Sequence, residues 1–547
     1  MFTSITLLAL AIGANAAYLD KRQTLTTFEV TSTILPDYFQ TNPELFPGPT
    51  PTGSPPFLAQ SNPAPFGPQA TFIPNSPLET YEPIQGDTNN QSIFQLMGNL
   101  SPYFPNPTGF GVDEFPLPAG AKIEQLHMIA RHGSRYPTSN SSVQVFGETI
   151  QSTVKNGTKF TGNLTFLNDW SYKLGAEILV PVGRKELFDN GVLHQYQYGG
   201  LYDPSTKIIA RTTSEDRIIK SAENFMAGFF GLNWGQNATL EVIIEQTGFN
   251  DTLAGYDNCN NSNTYVSAGG SNASAAWQAI YLQDATERLK AQAGGFNWTT
   301  SDTYNAQTLC PYETVAFGYS AFCNLFTFEE WQGFEYTIDL SFAGGSMFQS
   351  PTGRAVGIGF VEETLAILNN QLFTTPGISQ ANLTLDGKPS TFPLNQTLYL
   401  SFSHDTNIAS VLTAFGLTQF AQFLPTTGAP ANQQMIVSHL EPFGGRLDIE
   451  IISAPQPVAA NRTYSSEQYT SGNATKYVHF IQNQRTIPLG VSFPQCGQRT
   501  DGWCDLETFL IVQSASAMLA DYDYSCNGKY PAVPYGTLNN GVPQGVS

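Results

Sequence analysis

Two apolar runs along the chain predict buried β-strands, and a polar cluster follows each run directly. Residues 122–130 (KIEQLHMIA) are rich in large apolar side chains, and residues 396–403 (QTLYLSFS) alternate apolar and polar positions. Such runs are typical of core strands. Apolar residues at helical spacing predict helices over 214–230, 275–292, 327–340, 357–369 and 506–519. Strands mixed with many helices indicate an α/β domain.

The same pattern divides the chain into regions. Proline is very frequent between residues 43 and 83, so we expect an extended arm or linker there and ordered structure from about residue 92. The terminal segments are a signal peptide (1–16), a possible propeptide (17–22), a proline-rich extension (23–91) and a tail (531–547). The domain between them spans 92–530, with an α/β core over about 92–139, 201–254 and 376–530 and a helical cap over about 140–200 and 255–375.

The N-terminus and the composition predict a secreted protein. An apolar stretch ends in the small-x-small triplet Ala14-Asn15-Ala16, which is typical of signal-peptide cleavage, and the dibasic pair Lys21-Arg22 follows. Only 12% of the residues are charged, about half the usual share, so N-linked glycans are expected to help keep the surface soluble. We expect an extracellular or cell-wall location. The N-x-S/T sequons begin at Asn90, Asn99, Asn140, Asn156, Asn163, Asn237, Asn250, Asn260, Asn272, Asn297, Asn382, Asn395, Asn461 and Asn473.

Six cysteines in an oxidising compartment indicate three disulfides. Six cysteines allow 15 pairings, and short loops favour Cys310–Cys323 and Cys496–Cys504, which leaves Cys259–Cys526. A zinc site is a weak alternative because the sequence has no C-x-x-C pair.

The net charge of -20 argues against nucleic acid and against anionic membrane surfaces as partners. No second hydrophobic segment approaches the ~20 residues of a membrane span. Against this acidic background, Arg131, His132 and Arg135 form a basic cluster directly after the first predicted strand. Positive charge is therefore concentrated at one place in an acidic chain.

The second predicted strand is followed by His404 and Asp405. In open α/β sheets ligands bind beyond the carboxyl ends of the strands, so the two clusters could face one crevice. Guanidinium groups bind phosphate through a planar fork of donors, and two arginines beside a histidine form a phosphate pocket that contains a nucleophile. Alone, each cluster also fits a surface turn or a helix N-cap.

Three segments resemble the histidine acid phosphatases, in the branch of secreted fungal phytases and yeast-type acid phosphatases. Arg131 to Pro137 (RHGSRYP) matches the family pattern R-H-G-x-R-x-P, and Phe402–Asn407 (FSHDTN) is similar to its His-Asp motif. Ala210–Gly231 (ARTTSEDRIIKSAENFMAGFFG) resembles the segment that supplies a third phosphate-binding arginine, here Arg211. The resemblance covers roughly residues 95–530. It implies a phosphoglycerate-mutase-like α/β sandwich domain with a smaller inserted α-helical domain.

The resemblance also implies a mechanism. His132 would attack phosphorus and form a phosphohistidine, and Asp405 would donate a proton to the leaving group. Phosphate would be bound by Arg131, Arg135, Arg211 and His404. No metal and no cofactor are implied, and an acidic pH optimum is expected. The remaining histidines (His127, His194, His439 and His479) are expected to be structural.

The predicted substrate is a small phosphomonoester, and broad-specificity acid phosphatase activity is favoured over 3-phytase activity on myo-inositol hexakisphosphate. After NLFTFEEW the chain has Gln332 and Gly333, where a phytase-like pattern favours two lysines. A cytosolic mutase-like transferase is disfavoured by the predicted secretion. A metal-dependent or a cysteine phosphatase is disfavoured because this chain lacks the clustered metal ligands or the catalytic cysteine loop that those enzymes need. A catalytically silent cell-wall glycoprotein on the same scaffold is the non-enzyme alternative. The sequence leaves the oligomeric state open.

Overall fold

A computed structural model describes residues 85–86, 92–375, 379–466 and 468–545. The predicted signal peptide, propeptide and nearly all of the proline-rich extension lie outside the described residues. The boundaries proposed between an α/β core and a helical cap stay a prediction.

One mixed sheet forms the centre of the fold, in the order β3-β2-β4-β1-β5-β6-β7, with β8 paired to β6. The strands β4, β2 and β3 run parallel to β1, whereas β5 to β8 pair in antiparallel fashion. The strands are β1 Lys122–Arg131, β2 Ile208–Thr213, β3 Ala238–Ile243, β4 Leu398–Ser403, β5 Arg446–Ala454, β6 Thr475–Gln482, β7 Arg485–Ile487 and β8 Cys504–Asp505.

The two strands predicted from their apolar runs are neighbours at the centre of this sheet. The last six residues of β1 are all buried, because helices cover both faces of the sheet at this point. Leu126, Met128 and Ala130 pack on one face with Phe225 of the following helical segment, while Ile129 joins the larger core on the other face. Side chains that alternate between the two faces of β1 therefore contribute to both hydrophobic cores.

Helices account for most of the remaining regular secondary structure, which confirms the α/β fold class. Thr299 and Thr327 begin two of them with capping boxes, in which the threonine and an acidic residue three positions later satisfy each other's backbone amides. The helices are α1 Ser142–Lys155, α2 Pro181–Tyr198, α3 Asp216–Phe230, α4 Gly269–Tyr281, α5 Gln283–Lys290, α6 Thr300–Phe317, α7 Phe328–Gly345, α8 Gly353–Leu368, α9 Leu383–Asp386, α10 Asp405–Phe415, α11 Val437–Leu440, α12 Leu489–Ser492, α13 Leu506–Gln513, α14 Ser516–Ala520 and α15 Tyr522–Asn527.

Two of the predicted helices are each divided in the structure. The stretch 275–292 falls into α4 and α5, which meet at the buried Leu282, and 506–519 falls into α13 and α14. Both stretches carry continuous helical periodicity, which does not register a change of helix axis. Within the described part of the chain, no helix has both the length and the apolar composition needed to cross a membrane.

The structure joins the same three cysteine pairs that the short-loop argument favours. Cys310–Cys323 and Cys496–Cys504 close local loops, with sequence separations of 13 and 8 residues. Cys259–Cys526 spans 267 residues and ties the segment after β3 to α15. This long-range bond fixes the C-terminal helices against the middle of the chain.

Candidate active site

The carboxyl ends of β1 and β4 bring the two predicted polar clusters together. Arg131 and Ser403 are partners in the parallel register, so the next residue of each strand, His132 or His404, lies at the same edge of the sheet. The rings of these two histidines are 5.9 Å apart between centroids. The crevice expected from the sequence is therefore present at this edge.

His132 is held with one ring nitrogen free. Its Nδ1 lies 2.9 Å from the carbonyl oxygen of Gly133, which can only accept, so Nδ1 carries the proton and Nε2 keeps a lone pair. The backbone is fixed on both sides, because His132 N–H donates to Ser403 O at 3.2 Å and Gly444 N–H donates to His132 O at 2.9 Å. This tautomer has the free nitrogen that a nucleophile requires.

The surroundings of His132 keep its ring neutral. Burial comes first, followed by nearby positive charges, and together they lower the pKa of His132 well below its usual value. A lowered pKa favours the neutral imidazole, the form that can attack an electrophile. The nearby charged groups are Arg131, Arg135, Arg217 and His404.

The loop after His132 packs closely against α2, and this contact explains the glycine at position 133. A Cβ on Gly133 would lie 2.2 Å from the carbonyl oxygen of Gly183, so only glycine allows this approach of loop and helix. Glu186, also on α2, accepts from the backbone amide and the hydroxyl of Ser134 at 2.7 and 2.9 Å. Burial raises the pKa of Glu186 to about 7.

Arg131 is fully buried and joins three segments of the chain. Its Nη1 donates to the backbone oxygens of Asn99 and Glu441, at 2.5 and 2.8 Å, and its Nη2 lies 2.7 Å from Asp405 Oδ2. The guanidinium also stacks over the ring of Phe443, 4.5 Å from the centroid. Arg131 is therefore oriented in advance, which lowers the entropy cost of holding a ligand.

Asp405 begins α10 and faces Arg131. Burial alone would raise the pKa of Asp405, but the charge of Arg131 and the Asn99 amide, which donates to Oδ2 at 2.8 Å, outweigh it and keep the pKa below its usual value. Asp405 is thus a carboxylate in the free site. A glycan on the side-chain nitrogen of Asn99 would compete with this contact to Asp405.

The structure does not bring Arg211 into this pocket. Arg211 lies two residues before the end of β2, and its nitrogens face Glu241 at 3.0 Å, Glu363 at 3.3 Å and Asp386 at 2.8 Å. The ring of Phe392 covers the guanidinium, 4.9 Å from the centroid. Each guanidinium nitrogen of Arg211 thus faces a carboxylate at the β2–β3–α8 contact and not the pocket of His132, so we expect a structural role for Arg211.

The third arginine of the pocket is Arg217, in the first turn of α3. Its charge acts on His132, and its Nη1 lies 2.9 Å from Glu177 Oε2, while Nη2 pairs with Glu215. The stretch ARTTSEDR contains both arginines, and only the second follows the end of the strand. The start of the helix at Asp216 was the available signal, since residues beyond the carboxyl end of β2 reach the crevice.

Arg135 completes the basic lining. Its charge lowers the pKa of both His132 and Asp405, and its Nη1 donates to Tyr136 O at 2.8 Å. The Nε–H groups of Arg131, Arg135 and Arg217 are all buried and have no hydrogen-bond partner among the residues that the structure describes. Three free guanidinium donors around one histidine are a site for a tetrahedral anion.

His404 is oriented by a residue that the sequence reasoning missed. Its Nε2 lies 3.0 Å from Glu245 Oε2, and Tyr256 OH donates to Glu245 Oε1 at 2.7 Å. Burial would raise the pKa of Glu245, but His404 lowers it to about 2, so this residue is a carboxylate. Nothing in the sequence near Glu245 marks it, because the contact depends on β3 ending beside β2 and β4.

Glu215, Glu245 and His404 each place one ligand atom within 4.8 Å of the others, a spacing that a divalent cation could bridge. The structure already satisfies these groups in another way, since Arg217 pairs with Glu215 and His404 pairs with Glu245. The donor set is therefore accounted for as an ion-pair network.

The loop 441–445 forms the remaining wall and was also missed. It supplies Glu441 O and Phe443 to Arg131, Gly444 N–H to His132, and Gly445 O to the Arg131 amide. Burial raises the pKa of Glu441 well above its usual value, so a neutral carboxyl group lies beside Arg131.

We expect substitutions of Arg211 and Arg217, the two arginines of the segment 210–231, to have opposite effects. Arg217→Met should lower kcat/KM by about 10²- to 10³-fold, the loss typical of removing one transition-state donor. Arg211→Met should leave kcat/KM of the folded protein close to wild type but lower the free energy of unfolding by about 3–5 kcal/mol, because three buried carboxylates lose their cation. Steady-state kinetics and denaturant unfolding of both variants check this. A large loss of kcat/KM in Arg211→Met, with little change in Arg217→Met, would show that Arg211 is the residue that binds phosphate.

Comparison with known proteins identifies the family of the chain. Residues 122–483 match the model of the histidine phosphatase superfamily, branch 2. Phytase A of Aspergillus oryzae is 31% identical over 73% of this chain and 84% of that protein, and phytase A of Aspergillus terreus is 33% identical over 72% and 83%. The crystal structure of the phytase from D. castellii shares the fold, with a TM-score of 0.65, 22% identity, and coverage of 87% of this chain and 99% of that one.

The matched region contains β1 and the His132 loop, the segment of Arg217, and the end of β4 with Asp405. The sheet and its helices have the architecture of solved phytases of this kind. The chain is a phosphoric monoester hydrolase and belongs to the histidine phosphatase superfamily, branch 2.

Proposed function

We propose that this protein is a secreted acid phosphatase of broad specificity, which hydrolyses phosphate monoesters through a phosphohistidine on His132. The observation that carries the proposal is the set of three unpartnered guanidinium Nε–H donors around a neutral histidine whose Nε2 is free. A phosphoryl group has the charge and the tetrahedral shape that such donors complement.

In the first step, Nε2 of His132 forms a bond to phosphorus while the bond from phosphorus to the ester oxygen breaks. Arg131, Arg135 and Arg217 donate to the non-bridging oxygens, and their preorganised charge stabilises the transition state. In the second step water attacks phosphorus, the P–N bond breaks, and phosphate and neutral His132 are released. No metal or cofactor is required by these steps.

Asp405 serves the leaving group. In the free site Arg131 holds it as a carboxylate, but a bound phosphoryl group draws on the same guanidinium and brings negative charge next to Asp405. Both effects raise the pKa of Asp405, so the carboxyl group takes up a proton on binding at acidic pH. It then protonates the leaving alkoxide, and as a carboxylate it helps to activate water in the second step.

The carboxylates near Arg217 favour a broad specificity for phosphate monoesters over a preference for phytate. Carboxylates of Glu177 and Glu215 flank Arg217, so additional phosphates of a polyphosphorylated ring that approach this side would meet negative charge wherever these groups are ionised. At Gly333, where lysine was considered, a Cβ would lie 2.3 Å from the ring of Tyr281, so no lysine fits. Phytate hydrolysis is the second candidate, favoured by the phytases among the relatives.

The substrate preference is tested by comparing kcat/KM for phytate with that for p-nitrophenyl phosphate at acidic pH. We expect the phytate value to be at least about tenfold lower, which corresponds to about 1.4 kcal/mol of repulsion. Glycerol 2-phosphate is the control, since it also carries one phosphate and an alkoxide leaving group. A higher value for phytate than for both monoesters would establish the phytase alternative.

The proposal of secretion is supported by the three disulfides, which are typical of oxidising compartments. Several predicted sequon asparagines lie exposed on the described surface, among them Asn156, Asn272, Asn297 and Asn473. We propose that glycans at such positions supply the solubility that the low charge content does not.

A further inference from the structure

We propose that Glu215 determines how strongly the pocket holds a phosphoryl anion, by competing with that anion for Arg217 while it is ionised and releasing Arg217 when it is protonated. The inference rests on the proposed function of the pocket and adds a residue that sets its affinity and its pH range. Neither the R-H-G-x-R-x-P signature nor the His-Asp motif includes this position.

The geometry places Glu215 among the phosphate-binding cations. It is the N-cap residue of α3, its side chain pairs with Arg217 Nη2, and its Oε2 is 4.0 Å from His404 Nε2. The side chain is 21% exposed, and the oxygen that faces Arg217 and His404, Oε2, is buried between them. An anion that binds Arg217 Nη2 must therefore displace this carboxylate oxygen or share the guanidinium with it.

Glu215 is an excess charge at this point. Arg217 already has a second carboxylate partner in Glu177, at 2.9 Å, and His404 already has Glu245 at 3.0 Å. With Glu215 ionised, three carboxylates surround Arg217 and His404. Protonation of Glu215 removes one negative charge and leaves the Nη2 of Arg217 free for a ligand.

Groups from every neighbouring element act on Glu215. Arg217 lies on its own helix, Glu177 precedes α2, and His404 caps α10. Glu245 and the residues Tyr256 and Asp257 come from the segment after β3. Burial, and then Glu245, raise the pKa of Glu215 above its usual value, although Arg217 and His404 oppose the rise.

The coupling between proton and anion has a definite sign. An ionised Glu215 repels the anion, so binding is tighter when Glu215 is protonated, and by reciprocity a bound anion raises the pKa of Glu215. Affinity for the anion should rise as the pH falls through this pKa. Product phosphate would accordingly be held less tightly toward neutral pH.

Inorganic sulfate is the probe, because it is tetrahedral and keeps the same charge across the acidic range. Its Ki against p-nitrophenyl phosphate hydrolysis is measured from about pH 4 to about pH 7 for the full-length protein and for Glu215→Gln. The wild-type Ki should rise at least about fivefold more over this range than that of the variant, a typical coupling factor. At the acidic end the two proteins should bind sulfate about equally, since glutamine mimics the protonated acid.

Asp216→Asn is the matched control. It removes the same charge from the same turn of α3, but its carboxylate belongs to the side that faces Arg184 and Lys220. Its Ki should follow the wild-type pH dependence. If Glu215→Gln unfolds at a lower temperature than the assay allows, Glu215→Ser removes the charge with a different side chain and is held to the same expectation.

The proposal is overturned if Glu215→Gln and wild type show the same pH dependence of Ki. It is also overturned if the variant binds sulfate more weakly at every pH, because Glu215 would then only support Arg217. Both outcomes leave phosphatase activity intact. A wild-type protein that hydrolyses no monoester, or that sulfate does not inhibit competitively, would instead contradict the proposed function itself.

Discussion

Replacing His132 by alanine is expected to lower kcat for p-nitrophenyl phosphate by about 10⁴-fold or more, because the variant loses the atom that forms the bond to phosphorus. The arginine cradle stays in place, so the variant should still bind sulfate with an affinity within a few-fold of wild type. The buried imidazole makes one hydrogen bond, to its own loop, and we expect the fold to tolerate its loss. Steady-state kinetics and sulfate titration measure the two properties separately.

The matched control is His127→Gln. His127 is a buried histidine on the same strand, stacked on Tyr399 at 4.7 Å and 2.9 Å from Gln125 Oε1, and the mechanism does not use it. Its kcat should remain within a few-fold of wild type even if stability falls. Appreciable turnover by His132→Ala, or an equal loss in both variants, would remove His132 as the nucleophile.

Asp405→Asn is expected to divide substrates by their leaving groups. For glycerol 2-phosphate, whose alkoxide must be protonated, kcat should fall by about 10²- to 10⁴-fold. For p-nitrophenyl phosphate, whose phenolate leaves without help, the first step should be nearly unaffected, and only the water-activating role should be lost. A comparison of the two substrates on one enzyme preparation cancels differences in folded fraction.

The same substitution also removes a charge beside Arg131. Asp405 Oδ2 lies 2.7 Å from Arg131 Nη2 in the free site. The neutral asparagine side chain should bind this guanidinium more weakly, so sulfate should bind more tightly. Tighter sulfate binding together with selective loss on alkyl phosphates supports a proton donor that shares Arg131 with the substrate. An equal fall in kcat/KM, which reports on the first step, for both substrates would contradict the donor role.

The sequence located the centre of the site because two features coincide there. The apolar runs that end at Ala130 and Phe402 predict core strands, and the polar residues that follow them stand where parallel strands present ligands. The register that sets His132 beside His404 follows from this arrangement. These contacts depend on local pattern and on adjacent strands, which sequence reasoning handles well.

The third arginine shows where that reasoning ends. Arg211 and Arg217 lie in one matching segment, and choosing between them requires knowing where β2 stops. Arg211, inside the strand, faces three carboxylates, whereas Arg217 lies past Thr213 and its charge acts on His132. The resemblance that named Arg211 covers both arginines, and it does not say which of them follows the strand.

Other site residues come from segments far apart in the chain and carry no local signal. Asn99 reaches Asp405 across 306 positions, and Glu245 reaches His404 across 159. Loop 441–445 contributes mainly backbone groups, which no residue type encodes. Such contacts are set by the packing of whole elements, and therefore only the three-dimensional structure reveals them.

The most direct test of the account is to trap the intermediate. The full-length protein is mixed with ³²P-labelled p-nitrophenyl phosphate, quenched in alkali, where phosphohistidine survives, and digested for peptide mapping. The account predicts label on the peptide that contains His132, formed before phosphate is released and absent from His132→Ala. Label on another residue, or full turnover with no labelled protein at any time, would contradict it.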